Sequence, residues 1–201
     1  MNALTATQEK IHAAALKHFL RDGFRKASLR KIVAEAGYTL GAFYGYYRSK
    51  EELFDALVAE TAKGIDSILS RMGDEAENLP QEKRMGSMTA VFSHGLPELL
   101  DYLLGHPDET RLLLKCSGGT RYENFLDEHM ERNLSFARTV SEGDFPLHPL
   151  AARLLVRSYF SLFGDAVLSG EPREDIMQAM QNIEDMFAGG MIYLWKGRPK
   201  V

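Results

Sequence analysis

The side chains of this 201-residue chain that are suited to chemistry are basic and phenolic rather than nucleophilic, and they crowd one end. Residues 1–50 hold nine Lys and Arg against three acids, whereas 51–201 hold fifteen against twenty-five, so a net charge of −4 conceals a basic end on an acidic body. Such a molecule meets a polyanion with one side only; Lys26, Arg48 and Lys50 would neutralise it, and Tyr44, Tyr46 and Ser28 would hydrogen-bond to it. Catalytic sets are missing. No Cys-x-x-Cys, His-Glu-x-x-His, Walker loop or Gly-x-Ser-x-Gly occurs, and the six histidines show no local metal-ligand spacing. No enzyme, metal or cofactor is expected. The single cysteine, Cys116, excludes an intrachain disulfide and agrees with a reducing compartment. It is either a redox sensor or, more simply, a small residue closing a helix.

Short helices must position the basic end. Residues 27–53, ASLRKIVAEAGYTLGAFYGYYRSKEEL, place Leu29, Ile32, Val33 and Ala36 on one side of a helix that Ser28 is set to cap. Gly37 supplies the left-handed residue that ends it. Thr39 caps the next helix, which turns Phe43 and Tyr47 to the core and leaves Tyr44 outward, with Gly45 inside it at a cost of up to about 1 kcal/mol. Ser49 and Glu52 form a capping box that opens a further helix at Leu53 and Phe54. Its free amides suit a phosphate. An earlier helix, from about Thr7 to Leu20 with Thr5 and Gln8 as its cap, points Ile11, Ala15 and Phe19 inward. Two short helices about a glycine turn, backed by others, make a helix-turn-helix.

At these residues the chain resembles the DNA-binding domain of the TetR (tetracycline-repressor-like) family of bacterial transcription regulators. The resemblance is carried by Phe19, Asp22-Gly23-Phe24, Ile32, Ala36-Gly37, Gly41-Ala42-Phe43-Tyr44, Tyr46-Tyr47 and Ser49-Lys50-Glu51. It implies that Arg30 reads bases, its guanidinium bonding O6 and N7 of a guanine, together with Thr39, Leu40 and Gly41 at the tip of the third helix. Phosphate contacts fall to Ser28, Tyr44, Tyr46 and Lys50, with Lys26 and Arg48 as neighbours. Leu40 stands where the family often has a polar residue, and Gly41 and Ala42 are small, so readout leans on Arg30.

Beyond this block apolar positions recur at three and four, and alternating β-branched runs do not occur. The chain reads as all-α with about nine helices: a three-helix DNA-binding domain over 1–50, then a helical ligand-binding and dimerisation domain over 51–201. A helix from Lys50 to about Met72, some 33 Å long at 1.5 Å per residue, connects them before a loop at Gly73–Pro80. Further helices are expected from Gln81 to Leu104, bent near Gly95 by Pro97, from Pro107 to Lys115, and from Thr120 to about Glu142. Pro149 and Pro172 open the last two, which run to Leu168 and Trp195.

The final helix carries a seam of Ile176, Met180, Ile183, Phe187, Gly190 and Leu194. The helix before it is apolar almost all round, so two layers must cover it. The resemblance implies that these helices form a four-helix interface with a second copy, through that seam with Leu150, Leu154 and Gly164. It also implies a pocket for a small effector. The stripe Tyr122, Phe125, His129 and Asn133, joined by Phe92, Tyr102 and Phe163, is the candidate lining, the alternative being a structural histidine with its partners satisfied.

The expected protein is a transcriptional repressor that binds an inverted-repeat operator in double-stranded DNA as a homodimer and is released by a small-molecule effector. Alternatives are a DNA-binding dimer whose C-terminal body docks a protein, and a helical enzyme using the C-terminal cavity. No apolar run is long enough to span a bilayer and the N-terminus lacks a signal core, so a cytoplasmic location is expected, with no membrane partner.

Overall fold

The computed structural model describes residues 5–77, 95–125, 128 and 148–195. These residues hold helices and turns and no strand. The chain divides into two compact units, Met1–Gly64 with His106–Phe125, and Ile65–Gly105 with Leu126–Val201.

In the first unit, α1 (Ala6–Lys26) opens with a reciprocal capping box: the Thr5 hydroxyl accepts from the Gln8 amide at 3.3 Å and Gln8 Oε1 from the Thr5 amide at 3.1 Å. The helix does not stop at Leu20. It breaks at Gly23, whose φ of 72° only glycine adopts readily, and adds a last turn to Lys26. α2 (Leu29–Glu35) ends in a complete Schellman motif, with Gly37 at φ 82°, its amide bonded to Ala34 O and the Tyr38 amide to Val33 O. Ser28 occupies the N-cap position of α2 but makes no side-chain cap bond, contrary to expectation. Thr39 does cap α3 (Leu40–Tyr44), accepting from the Ala42 amide at 3.2 Å. Gly45 is the C-cap of α3 rather than an interior residue, so the helix has five residues.

α4 (Lys50–Glu77) starts as predicted, Ser49 Oγ accepting from the Glu52 amide at 3.2 Å, though the Glu52 carboxylate reaches back to the amide of Arg48. It runs through the expected loop at Gly73 as far as Glu77. Leu53, Phe54 and Val58 of its first turns are fully buried, as are Ile11, Ala15 and Phe19 of α1 and Ile32 and Val33 of α2. Phe54 meets Phe19 edge-on at 5.2 Å and Phe24 at 5.4 Å, which fixes the end of α1 on α4.

Residues 106–125 complete this unit. A helix, α6 (Pro107–Arg111), follows residues 95–105, which form α5, and widens into a π-type coil over Leu112–Cys116 that packs on α1. Ser117 Oγ donates to Leu113 O at 2.8 Å, satisfying a carbonyl at the end of that coil. Residues 121–124 form turns, not the opening of the helix predicted from Thr120.

The second unit contains the end of α4, α5, α7 (Pro149–Val167) and α8 (Arg173–Trp195). Pro149 is a first-turn proline as expected, whereas Pro172 stands just ahead of α8, its carbonyl accepting from the Ile176 amide. α7 turns Tyr159, Phe160, Phe163 and Val167 inward, and α8 turns Ile176 and Met180 inward. Arg173 of α8 pairs with Asp101 of α5, and Arg71 of α4 with Glu98. The predicted bend in the helix from Gln81 falls at the edge of residues 78–94, which lie outside the described residues.

Candidate nucleic-acid interface

The outward side of α2 and α3 is built by burying what lies behind it. Phe43 has no exposed surface and Tyr47 almost none, and their rings meet at a tilt with centroids 5.6 Å apart, so α3 is pinned by one aromatic side. That leaves Tyr44 58% and Tyr46 41% exposed, large phenols held open to solvent where the other large apolar side chains described in this unit are buried or half-buried. Arg30, Thr39 and Gly41 are exposed, Leu40 is half-buried, Lys26 and Arg48 are exposed, and Ser28 is half-buried. The Thr39 oxygen is occupied as a cap acceptor, but its hydroxyl hydrogen can still donate.

Lys50 is placed differently from a simple phosphate ligand. Its Nζ donates to Phe24 O at 2.7 Å and Ala27 O at 3.0 Å and sits 4.3 Å over the Phe24 ring. Burial draws its pKa down, and Glu51 opposes that shift. These two bonds use two of its three N–H groups.

Two polar networks hold these helices, and neither was read from the sequence. Tyr47 shares a short hydrogen bond with His12 Nε2, and burial pushes the His12 pKa down, keeping a neutral ring in that contact. On the other side, Glu35 at the end of α2 accepts from Lys17 at 2.6 Å and meets the buried His18 Nε2 at 2.9 Å, while His18 Nδ1 faces Arg21 at 3.1 Å. Bonds from Lys17 and then His18 hold the Glu35 carboxyl below its usual range. His18 follows Ile11 and Ala15 by helical spacing on the buried side of α1, a polar interruption that could have signalled a partner.

The candidate pocket residues divide. Tyr122 and Phe125 belong to the first unit, where Tyr122 packs on Phe54 and donates to Asp55 Oδ1 at 2.6 Å, beside an Arg121–Asp55 ion pair. Tyr102, half-buried, and Phe163, buried, belong to the second. Phe92, His129 and Asn133 lie outside the described residues. Cys116 is buried with its thiol pKa pushed up by desolvation, the opposite of a reactive thiolate. A second buried polar pair escaped the sequence: Tyr159 of α7 donates to Glu184 of α8 at 2.6 Å, and burial holds that phenol un-ionised.

The candidate interface residues also divide. Ile176 and Met180 are covered within the chain, as is Gly164, so they have little surface to give a partner. Ile183 and Phe187 are half-buried, Gly190 is exposed, and Leu194 lies in α8. Among the described side chains of α7 and α8, the large apolar ones left exposed are Leu150, Leu154, Leu155 and Leu162 on α7, and Met186 and Tyr193 on α8.

Among the described residues no helix is long and apolar enough to cross a membrane, and no His, Cys, Asp and Glu cluster could hold a metal. Residues 11–57 match the model of the bacterial regulatory proteins of the tetR family, a span running from the inner face of α1 into α4. The chain is 25% identical over 177 residues to the uncharacterized HTH-type transcriptional regulator YfiR of Bacillus subtilis, covering 84% of each. It is 30% identical over 137 residues to an HTH-type transcriptional repressor of Streptomyces coelicolor, covering 68% of this chain and 62% of that protein. In fold it is similar to a TetR-like transcriptional regulator from Rhodococcus sp. RHA1, with a TM-score of 0.60 at 18% identity over 94% of this chain and all of the other. The matched segment makes residues 11–57 a helix-turn-helix DNA-binding domain of the TetR family type, carried by a chain that is similar in sequence and in its all-helical fold to DNA-binding transcriptional regulators.

Proposed function

We propose that this protein is a repressor that binds an inverted-repeat operator as a homodimer and leaves it when a small effector binds. The observation that carries the reading is the outward side of α2 and α3, where Arg30, Thr39, Gly41, Tyr44 and Tyr46 are all exposed over a fully packed core. Arg30 reads a guanine edge, and Thr39, Leu40 and Gly41 meet adjacent bases. Ser28, Tyr44, Tyr46, Lys26, Arg48 and the remaining N–H of Lys50 take phosphates. The repressor of Streptomyces coelicolor that the chain resembles supports the sign of regulation.

DNA binding is assigned to residues 1–50, and sensing and dimerisation to 51–201. The exposed leucines of α7 with Met186 and Tyr193 form the surface a second copy covers. Effector and operator communicate through residues 106–125, which pack on α1 yet continue in the chain into the second unit at both ends. An effector acts only by its difference in affinity for two states, and a coupling of about 1–3 kcal/mol changes operator affinity 5- to 150-fold, equally in both directions.

The test is Arg30→Ala measured on operator and on unrelated duplex. Loss of about 1–3 kcal/mol on operator with unrelated binding intact supports the reading. Equal weakening on both would assign Arg30 to the backbone.

A further inference from the structure

We propose that Lys50 is a positioning residue for base readout: it clamps the link between α1 and α2 so that Arg30 enters the groove at a fixed place. This rests on the operator-reading role of Arg30. Only Ala27 and Ser28 separate the two helices, and Arg30 is the second residue of α2. Whatever fixes the Ala27–Ser28 peptide therefore fixes the origin of the Arg30 side chain.

The local sequence does not fix it. Ser28 makes no cap bond to α2, and α1 has just been interrupted at Gly23, so its last carbonyls are offered at the negative end of a helix. Lys50, arriving from α4, supplies the missing donors. It bonds the carbonyls of Phe24 and Ala27 together, one within the last turn of α1 and one on the linking peptide. The Phe24 ring under the ammonium is itself wedged on Phe54 and Phe19, so the clamp stands on the core of the domain. An ammonium held by two carbonyls and an aromatic face is committed to the protein before DNA arrives. A residue whose sole task was to neutralise phosphate would gain nothing from that burial.

The experiment uses the full chain as wild type, Lys50→Met, Lys50→Arg, Arg30→Ala and the double variant Lys50→Met/Arg30→Ala. A duplex enriched by the wild type from a randomised pool and a scrambled duplex are titrated with each protein at several salt concentrations. Thermal unfolding is recorded alongside. Positioning predicts that Lys50→Met lowers the ratio of the two affinities about fivefold or more, because the bidentate base contact is lost in part. Lys50→Arg, which keeps donors for the carbonyls, restores most of the ratio, and Lys50→Met causes no further loss of ratio in the Arg30→Ala background. If Lys50→Met weakens both duplexes equally and lowers the salt slope by about one, Lys50 is a phosphate contact only and the proposal is overturned. If Arg30→Ala leaves the ratio unchanged, the base-reading assignment fails and the clamp falls with it, a result distinct from the preceding one. Should Lys50→Met be unfolded, Lys50→Gln carries the same test: its ratio falls under positioning and holds under a phosphate role.

Discussion

The two units of this chain treat their apolar side chains in opposite ways. In the first, Phe19, Phe43, Phe54 and Ile32 are wholly covered, and the large aromatics left in solvent among the described residues are Tyr44 and Tyr46. In the second, leucines of α7 and Met186 of α8, the last 65% exposed, remain uncovered although the two helices pack on each other. The first unit covers these side chains with its own chain, and on α2, α3 and the turn that follows it leaves Arg30, Thr39, Tyr44 and Tyr46 open. On the proposed function a second copy covers these leucines, and the chain separates DNA recognition from self-association.

The sharpest way to break that comparison is to charge the uncovered leucines. Leu154→Glu with Leu162→Glu alters four side chains per dimer, each worth about 1 kcal/mol because each is already half exposed. The dissociation constant should rise about a thousandfold, read by sedimentation, while the thermal unfolding of the monomer stays near that of the wild type. Phe187→Glu would be a poorer probe, since its ring packs on Tyr159 within the chain. The converse substitution in the first unit, Phe54→Ala, should cost about 3–5 kcal/mol of stability in denaturant unfolding and leave association intact. Should Phe54→Ala disturb association as much as unfolding, the contrast drawn between the units is wrong.

A smaller effect sharpens the role of residues 106–125. Tyr122→Phe removes a hydrogen bond to the Asp55 carboxylate and should cost about 1–2 kcal/mol in the unfolding of the first unit. On the proposed route of communication it should also reduce the effector response more than it reduces operator affinity. The smallest effect concerns pH. The folded pKa of Glu35 is depressed, so its contribution is present above its unfolded value and is lost as pH falls through the lower, folded value. Glu35→Gln should therefore destabilise the protein at neutral pH and flatten the acid limb of its stability profile. An unaltered acid limb would remove the Lys17–His18–Glu35 network from the account.

What was legible in the sequence was local. The Thr5, Thr39 and Ser49 caps, the left-handed Gly37 and the burial of Phe43 and Tyr47 each follow from residues within four positions of one another. What was not legible depends on contacts far apart in the chain. Lys50 bonds carbonyls 23 and 26 residues away, His18 meets Glu35 across 17, and Arg25 meets Glu123 across 98. Long basic side chains carry no spacing rule that names their partner. Tyr122 and Phe125 fitted a helical stripe, but a helical stripe and a sequence of turns place apolar residues alike over so short a stretch. In the seam of the last helix Ile176 and Met180 are buried within the chain, Ile183 and Phe187 are half-buried and Gly190 is exposed, a distinction periodicity does not make.

Operator reading by a dimer is decided by the DNA that the wild-type protein selects from a randomised duplex pool, with the number of copies bound per selected duplex measured by light scattering. The expected pool is an inverted repeat with an invariant guanine in each half-site, bound by two copies, and that guanine preference is lost in Arg30→Ala. A pool that emerges without any shared sequence, or a single half-site bound by one copy, would contradict it.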